Sequence, residues 1–184
     1  SGDYAEKFFR ENLTDMAGSP HLRFLQIGAY AGDASVWMMK NILTHPTSSL
    51  IDVDTWEGSH ETAHGKISFS DVHAYYAQRV GERVTTLHTS SDDFFLRESL
   101  GQVSDFYDFI YVDGSHETHQ VLKDAVNAYR ALKPNGIIAF DDYLWAEIDN
   151  TTNVPGPAID AFMRCFVGKY DLMVKDYQVW IRKR

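Results

Sequence analysis

Two short apolar segments that each end in aspartate constrain the fold of this chain most strongly. Residues 109–112 are followed by Asp113, and residues 137–140 are followed by Asp141 and Asp142. A segment with helical periodicity lies between them, which predicts two parallel strands joined by a helical crossover. Because parallel strands of an open α/β sheet present their carboxyl ends at one edge, where ligands bind, we expect the three carboxylates to lie close together. The pattern therefore predicts a site for a hard cation.

Strand-like and helix-like segments alternate along the whole chain. Strands are predicted at residues 23–27, 50–53, 84–88, 106–112, 137–140, 170–174 and 178–182. Helices are predicted at residues 3–17, 33–43, 71–80, 91–100, 116–132 and 157–166. This alternation is typical of an α/β protein with a mostly parallel seven-stranded sheet, closed by a C-terminal antiparallel hairpin. Residues 1–20 are expected to form an N-terminal helix that covers the site or contacts a second subunit, and residues 21–184 the domain itself.

Composition excludes several classes of protein. A net charge of −9 argues against a protein that binds nucleic acid or an anionic membrane surface. The length of 184 residues and the apolar content of 44% suit one soluble domain. No apolar run approaches the roughly 18 residues of a membrane span. For a chain with a single cysteine, a reducing cytoplasm is the default expectation. The single cysteine, Cys165, excludes an internal disulfide and is predicted to be buried.

A glycine turn follows the first predicted strand. Gly28 and Gly32 bracket it in a G-x-x-x-G pattern, and a helix is predicted directly after it. Glycine permits positive φ and close backbone approach, and a helix N-terminus attracts anionic groups. Asp54 follows the second strand, where an acidic residue can accept hydrogen bonds from the ribose of an adenosine cofactor. The spacing is not G-x-G-x-x-G, so on these residues alone a nucleotide site and an ordinary turn both stay open.

Four successive segments give the chain a resemblance to a known family. FLQIGAYAGDASVWMM, IDVDTWEGS, YDFIYVDGSH and ALKPNGIIAFDDY resemble motifs of the class I S-adenosylmethionine-dependent methyltransferases. The DGSH and DDY elements are similar to those of the metal-dependent small-molecule O-methyltransferases, both the catechol-type enzymes and the branch that acts on sugar or macrolide hydroxyls. The resemblance covers residues 22–183 and implies a Rossmann-like, doubly wound fold. Gln26 departs from the pattern, because such families usually carry Glu or Asp there.

The resemblance also implies a role for each matching residue. It assigns cofactor binding to Gln26, Gly28, Ala29, Tyr30, Gly32, Asp54, Thr55, Trp56, Ser91, Asp92 and Asp113. Asp113, Asp141 and Asp142 would ligate Mg²⁺ or another hard divalent cation, which prefers oxygen ligands. His116 would be the general base, and Asp113 would be catalytic through the cation. The implied reaction transfers a methyl group to a hydroxyl of a small molecule: a sugar, a polyketide or macrolide, or a catechol-like diol.

Three other classes stay open. One is a metal-dependent hydrolase, although it would not need Asp54 or the glycine turn. An NAD-dependent oxidoreductase could use the same turn, although the glycine spacing and the three carboxylates disfavour it. A non-catalytic S-adenosylmethionine-fold module of a larger protein is favoured by Gln26 and disfavoured by the acidic cluster with His116. His60 and His64, in the polar loop after Asp54, suggest a lid or substrate contact, and an inert loop is the stronger expectation. A homodimer and a monomer both fit the sequence.

Overall fold

The computed structural model describes residues 2–58, 67–146 and 152–184, with side chains from Ala5 onward. The helices are α1 (Gly2–Leu13), α2 (Asp33–Asn41), α3 (Phe69–Arg79), α4 (Ser91–Leu100), α5 (Thr118–Ala131) and α6 (Pro155–Cys165). The strands are β1 (Arg23–Ile27), β2 (Ser49–Asp54), β3 (Val84–His88), β4 (Tyr107–Val112), β5 (Leu132–Phe140), β6 (Tyr170–Lys175) and β7 (Val179–Lys183). The chain divides into two compact units, Ser1–Ser90 and Ser91–Arg184.

The first unit contains three parallel strands, with β2 paired to both β1 and β3. Helix α2 begins after Gly32, which has a left-handed φ of 86°. A Cβ atom at this position would lie 2.3 Å from Cε1 of Tyr76, so a larger residue would meet both steric and backbone strain. Ser68 caps helix α3, because its hydroxyl accepts a hydrogen bond from the backbone N–H of Asp71. The core of this unit includes the buried side chains of Phe8, Phe9, Trp37, Met38 and Met39.

The second unit combines parallel and antiparallel pairing. Strand β4 runs parallel to β5, β5 pairs antiparallel with β7, and β7 pairs antiparallel with β6. Phe109 of β4 stacks on Trp180 of β7, with ring centroids 5.4 Å apart. Phe162 of α6 packs against Phe140, with centroids 5.5 Å apart. These aromatic contacts fix the strands whose carboxyl ends carry the predicted acidic cluster.

The predicted fold class, an α/β protein with a mostly parallel seven-stranded sheet and an antiparallel C-terminal hairpin, is confirmed. The prediction for Cys165 is wrong, because this residue is exposed. It lies in the last turn of α6, beyond Phe162, the last buried residue of that helix. In the portion of the chain that is described, no helix combines the length and apolar character needed to cross a membrane.

Two boundaries of the elements that carry the acidic cluster differ from the prediction. Helix α5 begins at Thr118, because Glu117 is extended, with φ −61° and ψ 119°. His116 therefore lies in the loop before the helix and not in its first turn. Strand β5 begins at Leu132 and not at residue 137, and it contains an irregularity at Asn135, which has φ 66°. The shift leaves the carboxyl end of β5 at Phe140, as expected.

Candidate active site

The three predicted carboxylates lie together after two adjacent strands. The backbone N–H of Asp141 donates to the carbonyl of Val112 at 3.0 Å, which extends the pairing of β4 with β5 toward Asp113. One oxygen from each of Asp113, Asp141 and Asp142 lies within 4.8 Å of the others. That spread resembles the ~4–5 Å between opposite oxygen ligands around Mg²⁺ or Ca²⁺. The residues therefore fit a hard divalent cation in both donor chemistry and spacing.

Asp141 is held by buried polar residues of β4 and the C-terminal hairpin. Its carboxylate accepts hydrogen bonds from the Tyr111 hydroxyl at 2.6 Å and from Nε2 of Gln178 at 3.1 Å. Trp180 fixes Gln178 in turn, since the indole N–H donates to its Oε1 at 2.8 Å. Burial raises the pKa of Asp141 above its ordinary value, and the negative charge of Asp142 raises it further. A bound cation would favour the ionised carboxylates and offset both effects.

Asp142 connects the acidic cluster to the predicted base. Its Oδ1 accepts a hydrogen bond from the Tyr177 hydroxyl at 2.8 Å, and its Oδ2 lies 2.8 Å from Nε2 of His116. The backbone of Asp142 has φ 56°, a strained conformation of the kind found at functional sites. If Asp142 is ionised, Nε2 of neutral His116 carries the proton and the basic lone pair is on Nδ1. The ring of Trp145 lies 4.9 Å from that of His116.

The acidic cluster and the histidine border one small concavity. Its lining includes Asp113, Asp141, Asp142 and His116, with Val121 and Pro155 among the apolar residues. Oxygen ligands for a cation thus lie beside a group that accepts protons near neutral pH. This combination can lower the pKa of a bound hydroxyl and remove its proton.

In the first unit, Asp54 closes the glycine turn. One carboxylate oxygen, Oδ2, accepts hydrogen bonds from the backbone N–H groups of Ala29 at 2.8 Å and Tyr30 at 2.9 Å. The other, Oδ1, accepts one from the backbone N–H of Trp56 at 2.7 Å. A carboxylate has about four acceptor positions, so these three bonds leave capacity for a ribose hydroxyl. Tyr30 and Trp56 both have positive φ, 44° and 48°.

A buried polar chain lies next to this turn. Nε2 of Gln26 donates to the Gly28 carbonyl at 2.9 Å. Oγ of Ser35 lies 2.8 Å from Oε1 of Gln26 and 2.7 Å from Oδ2 of Asp52. The Tyr76 hydroxyl donates to the same Asp52 oxygen at 2.5 Å. Burial is the main cause that raises the pKa of Asp52, to about 7.

The other predicted cofactor residues are engaged within their own units. Ser91 and Asp92, at the start of α4, both accept hydrogen bonds from Nε2 of Gln120, at 3.1 and 3.0 Å. Lys123 of the same helix pairs with Asp92 at 2.5 Å and is the main cause that lowers the pKa of that carboxyl. These contacts hold the start of α4 against α5.

The loop after β2 is described only in part. The carbonyl oxygen of Thr55 lies 2.6 Å from Nε2 of His88, so this nitrogen is the donor. His60 and His64 lie outside the described residues. Their predicted roles stay predictions.

Sequence reasoning missed several supporting residues. Asp52 and Tyr111 each precede a predicted site aspartate by two positions, so strand alternation places them on the same side as Asp54 and Asp113. A polar residue in an otherwise apolar strand, on the side that faces the site, could therefore have predicted these two supporting residues. Gln178 gave no such signal, because only the antiparallel pairing of β7 with β5 brings it to Asp141.

The chain matches a model of the methyltransferase domain over residues 25–143. This span is more than half of the chain, and the protein therefore belongs to the methyltransferase-domain family, as the sequence predicted. An uncharacterized protein of Acanthamoeba polyphaga mimivirus is 25% identical over 135 residues, which are 72% of this chain and 57% of that relative. The match thus spans little more than half of the relative's length.

Solved structures of methyltransferases share the fold. An O-methyltransferase from Bacillus cereus in complex with S-adenosylhomocysteine has a TM-score of 0.66 at 15% identity, covering 100% of this chain and 80% of that one. TomG from Streptomyces achromogenes, an O-methyltransferase of tomaymycin synthesis in complex with S-adenosylmethionine, has a TM-score of 0.66 at 15% identity, covering 99% and 78%. MycE, from the mycinamycin pathway, in complex with Mg, S-adenosylhomocysteine and mycinamycin VI, has a TM-score of 0.64 at 16% identity, covering 97% and 49%. The predicted Rossmann-like fold is confirmed.

Proposed function

We propose that this protein is an S-adenosylmethionine-dependent O-methyltransferase that requires a divalent cation and acts on a hydroxyl group of a small molecule. The observation that carries the proposal is the cluster of three carboxylates, one of them 2.8 Å from His116, in a chain of the methyltransferase-domain family. Proton removal from a hydroxyl uses a cation and a base together. A site of three carboxylates has no evident use in hydride transfer to NAD, which disfavours the oxidoreductase alternative.

The glycine turn is proposed to hold the cofactor. Gly28 and Gly32 allow close approach to the backbone, and Asp54 has acceptor capacity for a ribose hydroxyl. The indole N–H of Trp56 donates to the Tyr30 carbonyl at 3.0 Å, which stabilises the two positive-φ residues around the turn. S-adenosylmethionine supplies an electrophilic methyl group when bound. The structures with S-adenosylmethionine or S-adenosylhomocysteine support this assignment by analogy of fold.

The acidic cluster is proposed to hold the cation. Asp113, Asp141 and Asp142 provide the oxygen ligands, and the cation would act as a Lewis acid that lowers the pKa of the acceptor hydroxyl. His116 takes the hydroxyl proton at Nδ1, since Nε2 donates to Asp142. That hydrogen bond fixes the ring and its tautomer, so Asp142 both binds the cation and orients the base.

The acceptor is proposed to carry two neighbouring oxygens, as in a sugar diol, a hydroxylated polyketide or macrolide, or a catechol. Three protein ligands leave further positions in a six-coordinate shell, where Mg²⁺ usually binds water or substrate. Trp145 offers an aromatic wall beside His116. Its indole nitrogen is buried and has no hydrogen-bond partner within the described part of the chain. It is therefore suited to donate a hydrogen bond to an oxygen of the substrate.

Calorimetric titration tests the cofactor, and thermal unfolding tests the cation. In the titration, the wild-type protein should bind S-adenosylhomocysteine and S-adenosylmethionine but not NAD. In thermal unfolding, Mg²⁺ should raise its melting temperature. Asp141→Asn should abolish the Mg²⁺ effect and lower turnover at least about 100-fold, with an unchanged Kd for S-adenosylhomocysteine. Asp171→Asn is the matched control, because it removes an exposed carboxylate of the same unit that pairs only at the surface, with Arg184.

Turnover is measured as S-adenosylhomocysteine release with catechols, sugar diols and macrolides as acceptors. Full activity in EDTA would exclude the cation role. Binding of NAD in place of the sulfur nucleotides would exclude the methyltransferase mechanism. Tight binding of S-adenosylhomocysteine without turnover on any acceptor would favour the non-catalytic module.

A further inference from the structure

A buried chain of polar side chains connects both glycines of the cofactor turn. We infer that its central residue, Asp52, is held there as a neutral carboxylic acid whose proton positions the turn for cofactor binding, a role that rests on the proposed function. Asp52 is in this account a positioning residue, since it acts on the turn through Ser35, Gln26 and Tyr76.

The direction of the hydrogen bonds starts from a backbone carbonyl. The Gly28 carbonyl can only accept, so the side-chain group of Gln26 that lies 2.9 Å from it must be the amide nitrogen. The carbonyl oxygen of Gln26 therefore points to Ser35, at 2.8 Å. Because that oxygen also only accepts, the hydroxyl proton of Ser35 is used in this bond.

Ser35 has one proton, and two acceptor oxygens lie at hydrogen-bond distance from it, Oε1 of Gln26 and Oδ2 of Asp52. The Tyr76 hydroxyl also interacts with Ser35, but its own proton is donated to Asp52. The Ser35 oxygen lies 2.7 Å from Oδ2 of Asp52, which is a hydrogen-bond distance. With its proton already donated to Gln26, Ser35 can only accept from Asp52. The short distance is satisfied when Asp52 carries a proton on Oδ2 and donates it to Ser35, and it becomes a contact between two acceptors when Asp52 is ionised.

Burial supports the same protonation state. Asp52 is 0% exposed, and its Oδ1 has no hydrogen-bond partner within the described residues. A buried carboxylate with an unpaired oxygen is much less favourable than a neutral acid. The titratable groups that act on Asp52 are Tyr76 of α3 and Asp54 of β2; β1 and α2 contribute the uncharged Gln26 and Ser35. Burial is the main cause that raises the pKa of Tyr76, so its hydroxyl keeps its proton whether Asp52 is neutral or ionised.

The other end of the chain reaches the second glycine. The Tyr76 hydroxyl donates to Asp52, and its ring occupies the space that a Cβ atom on Gly32 would need. One end of the chain thus holds the Gly28 carbonyl, and the other packs on Gly32. Loss of the Asp52 proton breaks the link to Ser35 and loosens the support on the Gly28 side, so cofactor affinity should fall as pH rises through the titration of Asp52.

Calorimetry with S-adenosylhomocysteine from pH 6 to pH 9 tests this inference. Wild-type affinity should weaken about fivefold across the range, the equivalent of one net hydrogen bond. Asp52→Asn supplies an N–H donor at every pH, so its affinity should not change with pH in this way. Ser35→Ala removes the link, so its affinity should also lose the pH dependence while its stability still varies with pH.

Asp33→Asn is the matched control. Asp33 also accepts a hydrogen bond from a tyrosine of α3, Tyr75, at 2.8 Å, but it is exposed. This variant should keep the wild-type pH dependence. Equal pH dependence in the wild type and Asp52→Asn, or no dependence in the wild type, overturns the inference.

The inference and the proposed function fail in different ways. If no variant binds S-adenosylhomocysteine at any pH, the proposed cofactor is wrong. The stability of the ligand-free proteins then still decides the protonation of Asp52. The wild type should lose stability relative to Asp52→Asn as pH rises, and parallel profiles overturn the inference. If Asp52→Asn does not fold, the comparison of Ser35→Ala with the wild type decides.

Discussion

Replacement of Tyr177 by phenylalanine should weaken Mg²⁺ binding about tenfold. The hydroxyl lost in this variant donates to Oδ1 of Asp142 at 2.8 Å, on the carboxylate whose other oxygen contacts His116. Removal of a group that orients a metal ligand typically costs about 10–100-fold in metal affinity. Tyr177 is only partly buried, so water can replace part of the lost bond. We therefore expect the lower limit, about 1.4 kcal/mol.

The assay is calorimetric titration of Mg²⁺ into the wild type, Tyr177→Phe and Tyr170→Phe. Tyr170 lies on the same hairpin, but its hydroxyl donates to the Met163 carbonyl at 3.1 Å and not to an acidic ligand. This control should bind Mg²⁺ as the wild type does. At saturating Mg²⁺, Tyr177→Phe should recover most of its kcat, because the ligands themselves are intact. An unchanged Kd in Tyr177→Phe, or an equal loss in Tyr170→Phe, would refute the role given to Tyr177.

Three further changes test the glycine turn, the base and the buried acid. Positive φ alone costs an alanine about 2 kcal/mol, and Gly32→Ala should lower the free energy of unfolding by more than this, because its Cβ would also overlap the Tyr76 ring. The control is Gly168→Ala, where φ is 81° and an added Cβ would have no other atom within 4 Å, so that only the φ effect remains. Denaturant titrations measure both variants. His116→Gln should lower kcat/KM by a factor of about 10²–10⁴ and change the Kd for Mg²⁺ by no more than a few fold. Equal losses of kcat/KM and of Mg²⁺ affinity would instead indicate a structural role for His116. Because the pKa of Asp52 is raised from 3.8 to about 7, the unfolded chain releases this proton first as pH rises. At 1.36 kcal/mol per pKa unit, the contribution of Asp52 to the free energy of unfolding should fall by up to about 4 kcal/mol between about pH 4 and pH 7 and then stay level. A wild-type stability profile that is flat over this range would contradict the burial of Asp52.

The acidic cluster could be predicted because it depends on local sequence and one rule of topology. Asp113 and Asp141 each follow an apolar strand directly, and parallel pairing brings such positions to the same edge. His116 follows Asp113 by three residues, so the same loop carries it. The contact of His116 with Asp142 required more than this rule, because it depends on where α5 begins and on the positive φ of Asp142.

The supporting residues could not be predicted in the same way. Gln178 reaches Asp141 across 37 positions of sequence, and only the register of β7 against β5 makes them neighbours. Asp52 was visible as a charged residue in an apolar strand, but its protonation state depends on which hydrogen-bond partners surround it. Two of those partners, Ser35 and Tyr76, come from two helices whose rotation about their axes the sequence pattern leaves undetermined.

The negative charge of a buried carboxylate can be neutralised by a proton or by a cation, and Asp52 and Asp141 are suited to different ones. Asp52 and Asp141 are both buried, and burial raises the pKa of each. Among the described residues, no cation acts on Asp52, and its neighbours Ser35 and Gln26 need one more proton to satisfy their contacts, so a proton neutralises it. Asp141 has two further carboxylates within reach and accepts hydrogen bonds that favour its ionised form. A proton on Asp141 would compete with those donors, whereas a divalent cation preserves them and also relieves the repulsion from Asp142. The hydrogen-bond inventory around each group therefore explains why the first is expected to carry a proton and the second a metal ion.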